Sequence, residues 1–394
     1  MSVMRSIKNK TAIVGIGMSG FSKDSQRTEL YIACETIKAA LDDAGLTAAD
    51  IDGLVKQTDD ASDEHAVTSS MGMGNLTYFG ECRWGAAPSA MVMRAAMGVA
   101  TGAANYIVIY RAVNGSSRRR MIPSMRTSGQ MSTADLLQWT FHAPFGHMSE
   151  AGRVAMIVRR YMHEFGVNSD QFGWVSVVCR EHGAKNPNSM YYNKPITIKD
   201  YQKSEMVVEP LRRLDYYEEA DAAAALVITT AERAKDLRQR PAYVLGAAQN
   251  MVPETEEMNS YYRPIISTFP EMGHVGKRIF AMSGVAPKEV DCVQLDDSYG
   301  PFVPMQLEAL GFCGRGEGVA FCDGGTRIKV GGELPINTSG GSLGEGHIHG
   351  MNHVIEAVRQ IRGMSTAQVK DARLVLVASG AGSPASGLIL GGKL

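Results

Sequence analysis

The feature that most constrains the fold is an apolar helix followed closely by an apolar strand. Residues 89–100 read S-A-M-V-M-R-A-A-M-G-V-A, and a helix of this sequence is hydrophobic on nearly every side. After a Thr-Gly turn, residues 106–110 read Y-I-V-I-Y and predict a strand of the same character. Such a helix must lie inside the protein rather than on its surface. The pair therefore predicts a layered α/β fold with helices enclosed between sheets.

The second half of the chain repeats features of the first. With 394 residues, we expect two or more domains or an internal duplication. Residues 44–54, A-G-L-T-A-A-D-I-D-G-L, are echoed by residues 283–293, S-G-V-A-P-K-E-V-D-C-V. Each segment follows an amphipathic helix and leads into an apolar strand. The strand at 373–377 likewise echoes the strand at 106–110. Two similar βα halves are therefore predicted.

The region between the two halves differs in composition. It is rich in Met, Tyr, Arg and Asn and is interrupted by prolines, as is common where a loop insertion forms the walls of a substrate site. We predict an N-terminal half at 1–240, including an insertion at about 121–240, and a C-terminal half at 241–394.

Charge and cysteine placement exclude several classes of protein. The formal net charge of −1 argues against general nucleic-acid or membrane binding. Six cysteines are scattered without a C-x-x-C pair, so we expect neither a disulfide framework nor a metal site. Residues 1–10 lack the apolar core of a signal peptide, and we expect a cytoplasmic protein. The basic cluster Arg118 to Arg120 fits either a solvated loop or a contact to a phosphate-bearing ligand.

The strongest candidate for chemistry is a glycine-rich segment that contains three histidines. Residues 340–353 read G-G-S-L-G-E-G-H-I-H-G-M-N-H. Glycines allow close approach to a ligand, and histidine exchanges protons near neutral pH. Apolar residues then follow at helical spacing, so His347, His349 and His353 are delivered to the start of a helix, where backbone N–H groups favour negative charge. A turn with a helix-capping histidine is the alternative interpretation.

Together these features resemble the thiolase superfamily, specifically the sterol-carrier-protein-type thiolases and their lipid-transfer-protein-like aldolase relatives. The resemblance covers nearly the whole chain. It implies a five-layer α-β-α-β-α fold, normally a homodimer, that acts on acyl-coenzyme A thioesters and binds no separate cofactor. The segments that carry it are A-G-L-T-A-A-D-I-D (44–52), R-R-Y-M-H-E-F-G (159–166), N-P (186–187), P-L-R-R-L-D (210–215), A-D-A-A-A-A (220–225), L-D-D-S-Y-G-P-F (295–302), L-E-A-L-G-F-C-G-R-G-E-G (307–318), P-I-N-T-S-G-G-S-L-G-E-G-H-I-H-G (335–350) and E-A-V-R-Q-I-R-G (356–363).

The resemblance also implies catalytic positions, and here the chain departs from the thiolases. His347, in G-E-G-H-I, matches the histidine of the thiolase G-H-P motif, and Asp296, in L-D-D-S-Y, falls on an Asn or His position. Gly85 occupies the expected place of the nucleophilic cysteine at the start of the central helix. The second-cysteine region, 378–382, contains no cysteine. Cys82 can replace the nucleophile only with a three-residue insertion inside a helix, and is otherwise a small side chain at a strand end.

Loss of the nucleophile favours the aldolase branch of the resemblance. Its members cleave β-hydroxyacyl-CoA thioesters, such as steroid side chains, by a retro-aldol step, usually with a small OB-fold partner protein. That branch has tyrosines where Asp296 and His347 stand here. Two alternatives remain open: a β-ketoacyl-CoA thiolase that uses Cys82, and a non-catalytic acyl-CoA or lipid carrier.

A retro-aldol reaction needs a base and hydrogen-bond donors for an enolate. We expect Asp296 to orient or deprotonate the substrate and His347 to relay the proton or bind the thioester oxygen. Tyr299 can replace a missing phenol, and His349 and Asp297 are supporting candidates. A turn-capping role is the alternative for both aspartates, and tight packing is the alternative for Gly85. The candidate donors to the thioester oxygen are Gly85, Gly346, Ser379 and Gly380.

Overall fold

The computed structural model describes residues 6–58, 60–82, 86–117, 140–147, 149–253 and 263–393. The predicted roles of Gly85 and of the Arg118–Arg120 cluster lie outside these ranges. The strands are β1 Thr11–Met18, β2 Gly53–Gln57, β3 Tyr78–Cys82, β4 Ile107–Asn114, β5 Met206–Val208, β6 Leu211–Arg212, β7 Asp221–Thr230, β8 Ala242–Asn250, β9 Cys292–Gln294, β10 Leu374–Ser379 and β11 Ala385–Gly391. The helices are α1 Glu29–Ala44, α2 Glu64–Met71, α3 Ala87–Ala100, α4 Glu150–Phe165, α5 Gly173–Gly183, α6 Ile198–Lys203, α7 Pro270–Ser283, α8 Phe302–Leu310, α9 Gly318–Cys322, α10 Gly341–Gly344 and α11 Met351–Arg362.

The main sheet has a mirrored strand order that confirms the two similar halves. Its order is β3-β2-β4-β7-β1-β8-β11-β10-β9, while β5 and β6 form a separate hairpin. Outward from the centre, β1, β7, β4 and β2 correspond to β8, β11, β10 and β9. In each half the first two pairings are antiparallel and the third is parallel. The same connectivity has therefore been built twice in one chain.

The two halves of the sheet enclose a central helical layer. They are joined through β1 and β8 by a short seam, which pairs Ala12 with Tyr243 and Ile13 with Ala242. Buried residues of α3 and α11 form one apolar cluster with the inner faces of both halves. Helices α1 and α7 cover the outer faces. The result is the predicted five-layer α-β-α-β-α arrangement, with the apolar helix α3 in its middle layer.

The repeated sequence segments form the same local structure in each half. Helix α1 ends at Gly45 and helix α7 ends at Gly284, and both glycines adopt the left-handed conformation that closes a helix, with φ of 76° and 72°. One short 3₁₀ turn follows each glycine and leads into β2 or β9. The predicted echo between residues 44–54 and 283–293 therefore reflects two equivalent helix-to-strand connections.

The region between β4 and β7 positions the histidine segment. Helix α5 crosses the short helix α10 so closely that a Cβ on Gly183 would clash with the Gly344 carbonyl, and one on Gly344 with the Cys179 carbonyl. Strand β7, by contrast, lies within the main sheet, so an inserted region must end before Asp221. The division of the chain near residue 240 remains our proposal. No helix within the described ranges is long and apolar enough to cross a bilayer.

Candidate active site

The glycine-rich segment predicted from the sequence forms a tight buried loop before α11. Gly340, Gly341 and Gly346 have φ values of 115°, 62° and 145°, which side-chain-bearing residues rarely adopt. A Cβ on Gly341 would clash with the carboxylate of Asp297, and one on Gly346 with the Phe21 ring. Glycine is therefore required here for close packing, and the loop has one defined shape.

Asp297 holds this loop in place. Its carboxylate accepts hydrogen bonds from the backbone N–H groups of Ser342 at 2.8 Å and Leu343 at 3.2 Å, and lies 3.1 Å from Nε2 of His353. Burial disfavours the charged form of each partner. Burial is the largest single influence, but their mutual hydrogen bond and the surrounding charges and hydrogen bonds together outweigh it, so the pKa of Asp297 is lowered and the pKa of His353 is raised. The contacts of Asp297 and His353 are those of a structural ion pair beneath the site.

His347 is a neutral, buried imidazole. Its ring stacks on Tyr217, with centroids 4.0 Å apart, and its Nδ1 lies 3.2 Å from the Ser342 hydroxyl. Its backbone N–H donates to the Glu218 carbonyl at 3.1 Å. Burial and then the positive charge of Arg111 lower the pKa of His347 to about 3. At neutral pH this side chain can accept or donate a hydrogen bond without carrying a charge.

His349 lies beside His347 and contacts a buried arginine. The two imidazole centroids are 4.8 Å apart. Nδ1 of His349 lies 2.7 Å from Nη2 of Arg111, whose Nη1 is hydrogen-bonded to the buried carboxylate of Asp60. Burial and the Arg111 charge hold the pKa of His349 well below its usual value. Arg111 and Asp60 belong to none of the motifs that predicted the site. The sequence does contain a signal for Arg111, because this arginine directly follows the apolar segment 106–110. A guanidinium that is buried by such a strand needs a partner.

Asp296 joins the predicted site to the turn after β10. One carboxylate oxygen accepts from the backbone N–H and hydroxyl of Ser298, at 2.9 and 2.6 Å. The other accepts from the N–H groups of Gly380 at 3.1 Å and Ala381 at 3.3 Å. The Ser379 hydroxyl lies 2.8 Å from the hydroxyl of Ser89 in the first turn of α3. The structure thus brings Asp296 together with the predicted positions 379–380. The N–H group of Gly380 is already hydrogen-bonded to Asp296.

Tyr299 is hydrogen-bonded to a carboxyl group that the sequence did not single out. The hydroxyl of Tyr299 donates to Glu150, the first residue of α4. Burial and then the negative charge of Asp296 raise the pKa of Glu150 to about 7. The Tyr299 ring also makes edge contacts with Tyr216 and Tyr217, at centroid distances of 5.2 and 6.2 Å. Glu150 is therefore a proton acceptor poised near neutral pH, at the start of helix α4.

Cys82 occupies a different environment. It ends β3, opposite Gln57, and its thiol is hydrogen-bonded to Arg94 in the middle of α3. Burial raises the pKa of this thiol. Residue 94 lies seven positions beyond the start of α3, which corresponds to about 10 Å along the helix axis. Cys82 is thus a half-buried strand-end residue, and its part as an alternative nucleophile remains a prediction.

Comparison with known proteins identifies the family. Residues 255–391 match the thiolase C-terminal domain-like family. The chain is 48% identical to the 17-hydroxy-3-oxo-4-pregnene-20-carboxyl-CoA lyase of Mycobacterium tuberculosis, over 98% of this chain and 100% of that protein. It is 46% identical to the steroid side-chain-cleaving aldolase of Thermomonospora curvata, over 98% and 99% of the two chains.

Solved structures agree with these relatives. The Ltp2-ChsH2(DUF35) aldolase is 46% identical, with a TM-score of 0.93 and 98% of each chain covered. A monomeric SCP2-thiolase-like protein of Mycobacterium smegmatis shares the fold, with a TM-score of 0.73 at 18% identity over 98% of this chain and 78% of that one. This chain therefore belongs to the thiolase superfamily and, within it, to the family of the steroid side-chain-cleaving aldolases.

Proposed function

We propose that this protein cleaves a carbon–carbon bond of a β-hydroxyacyl-CoA thioester by a retro-aldol reaction, and that the acyl group is a steroid side chain. The names of relatives that are 46–48% identical over nearly the whole chain support this substrate class. The observation that carries the proposal is the Tyr299–Glu150 hydrogen bond, which is connected through the Tyr217 ring to the neutral pair His347 and His349. This combination offers a base together with uncharged hydrogen-bond donors.

The reaction assigns one role to each group. Tyr299 takes the proton of the substrate β-hydroxyl and passes its own proton to Glu150. The oxygen electrons form a carbonyl, the bond between the α and β carbons breaks, and its electron pair moves into the thioester as an enolate. His347 and His349 donate hydrogen bonds to the substrate oxygens, where charge changes most. The proton held by Glu150 then returns to the α carbon, which yields a carbonyl product and a shorter acyl-CoA.

Asp296 fits an orienting role better than that of the base. Both of its oxygens already accept hydrogen bonds from Ser298, Gly380 and Ala381. Asp296 also adds to the negative potential that raises the pKa of Glu150 to about 7. We propose that Asp296 fixes the 379–382 turn and tunes Glu150. Gly346, Ser379 and Gly380 remain candidate contacts to the thioester, as does Gly85.

A cavity of about 230 Å³ adjoins the tyrosine cluster and supports a bound CoA ester. Its lining includes Tyr216, which contacts Tyr299, and Leu343 of α10. Arg180 and Arg213 add two guanidinium groups, which suit the phosphates of coenzyme A. We propose that part of the CoA moiety occupies this cavity while the acyl group reaches the histidines.

The proposed assembly is a homodimer that also binds a small OB-fold subunit. β3 is one of the two end strands of the sheet, and Phe79 on it is 69% exposed. An end strand with an exposed apolar residue is suited to pairing with a second copy. The second subunit is proposed because the similar solved aldolase is an Ltp2-ChsH2(DUF35) protein. The proposed setting is the cytoplasm.

The decisive experiment identifies the reaction products and measures whether free CoA is consumed. The chain, co-expressed with a small OB-fold partner, is given a steroid β-hydroxyacyl-CoA ester, and the products are identified by mass spectrometry. We expect a steroid carbonyl compound and a shorter acyl-CoA without consumption of free CoA. Cleavage of the corresponding β-ketoacyl-CoA ester with consumption of free CoA would instead identify a thiolase. Binding without cleavage, at saturating partner, would identify a carrier.

A further inference from the structure

The environment of His349 differs from that of the other site residues because it includes a buried ion pair from the first half of the chain. Arg111 lies on β4 and is 2% exposed. One of its terminal nitrogens is hydrogen-bonded to Asp60, whose side chain is fully buried. The other lies 2.7 Å from Nδ1 of His349. The mechanism proposed above gives no role to Asp60 or Arg111.

The proton positions in this chain of contacts follow from the donor chemistry. A guanidinium group has five N–H donors and no acceptor, and it stays protonated in proteins. Arg111 must therefore donate to His349, so Nδ1 of His349 must carry a lone pair. A neutral imidazole has one proton, which is then on Nε2. Protonation of Nδ1 would place two donors face to face within 2.7 Å.

The backbone of His349 also depends on its surroundings. Its φ is 51°, in the left-handed region that non-glycine residues rarely adopt. Gly346 and Gly350 on either side have φ of 145° and 82°. A residue with this backbone keeps its orientation when neighbouring contacts hold it. The Arg111 contact supplies such a restraint, and it reaches His349 from a rigid central strand.

We propose that Arg111, held by Asp60, is a positioning residue that fixes His349 as the neutral imidazole with its proton on Nε2, so that His349 donates a hydrogen bond to an oxygen of the acyl substrate. This inference rests on the proposed function for the identity of that oxygen. The assignment of the proton does not, because it follows from the contacts of the unliganded protein. His349 is thus excluded as a general base.

The first test measures the proton position directly and needs no substitution in Arg111. In protein labelled with ¹⁵N and ¹³C histidine, the ring shifts distinguish the two neutral tautomers and the imidazolium, and His349→Gln identifies the signal. At pH 7 we expect the Nε2–H tautomer. A proton on Nδ1, or an imidazolium, would overturn the proposal. This result is independent of whether the protein turns out to be an aldolase, so failure of the proposed function is seen separately in the product analysis.

The second test links the tautomer to turnover. Arg111→Met removes the donor, and we expect mixed His349 tautomers and a loss in kcat of about 10²–10³-fold, the usual effect of losing one oxyanion donor. Arg111→Lys keeps a cationic donor and should restore both the Nε2–H tautomer and much of kcat. Retention of wild-type kcat by a folded Arg111→Met variant would overturn the positioning role.

A matched control separates positioning from stability. Arg362 is another buried arginine, paired with Asp43 at 2.6 Å at the end of α11. Arg362→Met and Arg111→Met should both lower the unfolding temperature, but Arg362→Met should leave the His349 tautomer and kcat unchanged. If both variants lose kcat in proportion to stability, the Arg111 contact is structural and the proposal fails.

Discussion

Equivalent strands in the two halves carry different side chains at the same place. β4 and β10 are third from the centre of the sheet in their halves, and both are apolar over most of their length. Gly53 pairs with Ile107 in the first half and Cys292 pairs with Val375 in the second, which makes Ser379 the counterpart of Arg111. Arg111 is a buried guanidinium that reaches the histidine loop, whereas Ser379 is a buried hydroxyl that contacts Ser89. Duplication thus supplied a scaffold, and individual substitutions supplied the chemistry.

The two central helices differ in the same way. The first turn of α3 packs on the turn after β10, through the contact of Ser89 with Ser379. The start of α11 is preceded by the loop that carries His347 and His349. One helix therefore closes the site, whereas the other presents side chains to it. Substitutions of site residues are therefore best compared with substitutions of the same residue type at positions that have no proposed role.

The largest effect is expected from removing the proposed base. Glu150→Gln and Tyr299→Phe should each lower kcat by about 10²–10⁴-fold, because proton transfer from the β-hydroxyl is lost. The double variant should be little worse than either single one, since the two groups act together. The control is Glu29→Gln. Glu29 likewise begins a 16-residue helix after a hydroxyl cap, and its carboxylate accepts from the backbone N–H of Asn114. An equal loss of kcat in Glu29→Gln would contradict a specific role for Glu150 in proton transfer.

The next effect concerns stability. His353→Gln leaves the buried Asp297 carboxylate without its cationic partner, which should lower the free energy of unfolding by about 3–5 kcal/mol in urea titrations. The pKa of His353 is raised in the folded protein, so its protonation stabilises the fold most below about pH 6.5, the pKa of histidine in an unfolded chain. Wild-type stability should therefore fall as the pH rises above that value. His353→Gln should lack this slope. His65→Gln on the exposed face of α2 is the control, with a change near zero.

Two left-handed glycines allow packing to be separated from backbone strain. Gly341→Ala places a methyl group against the Asp297 carboxylate, while Gly363→Ala at the end of α11 meets open space. Both positions have positive φ, 62° and 75°. Strain alone should cost about 1–2 kcal/mol in Gly363→Ala, and Gly341→Ala should cost clearly more and reduce kcat. Similar unfolding free energies in the two variants would show that the loop tolerates movement around Asp297.

The pH profile gives a smaller but more specific effect. The pKa of Glu150 is raised to about 7, so kcat/KM should increase with pH up to about 7, and Glu150→Gln should lose this limb. In the unfolded chain this carboxyl ionises near pH 4.3. The folded protein therefore binds the extra proton between these values, and its stability relative to Glu150→Gln should decline as pH rises from about 4.3 to about 7. A difference in unfolding free energy that does not change with pH would mean that Glu150 is ionised throughout this range.

How much of this could be predicted from the sequence depends on the range of the contacts involved. Helix α1 and the turn at Gly45 follow from local periodicity and capping, and α3 follows from its uniform hydrophobicity. His347, Asp296 and Tyr299 were named from motifs, and their roles remain predictions. Glu150 and Arg111 were missed because their function depends on partners far away in sequence, Tyr299 and His349 respectively. Local sequence patterns do not show which distant residues come into contact in the folded protein.

The smallest effect is expected for Cys82→Ala, which tests the remaining thiolase alternative. Cys82 is the last residue of an outer strand, and its thiol is hydrogen-bonded to Arg94. Burial raises the pKa of this thiol, which disfavours a reactive thiolate. We expect kcat to stay within about twofold of wild type, and no acyl group on the protein by intact mass after incubation with substrate. Cys34→Ala, on α1, gives the background for removing a partly buried thiol. A trapped acyl group that disappears in Cys82→Ala would mean that the first half supplies a nucleophile after all.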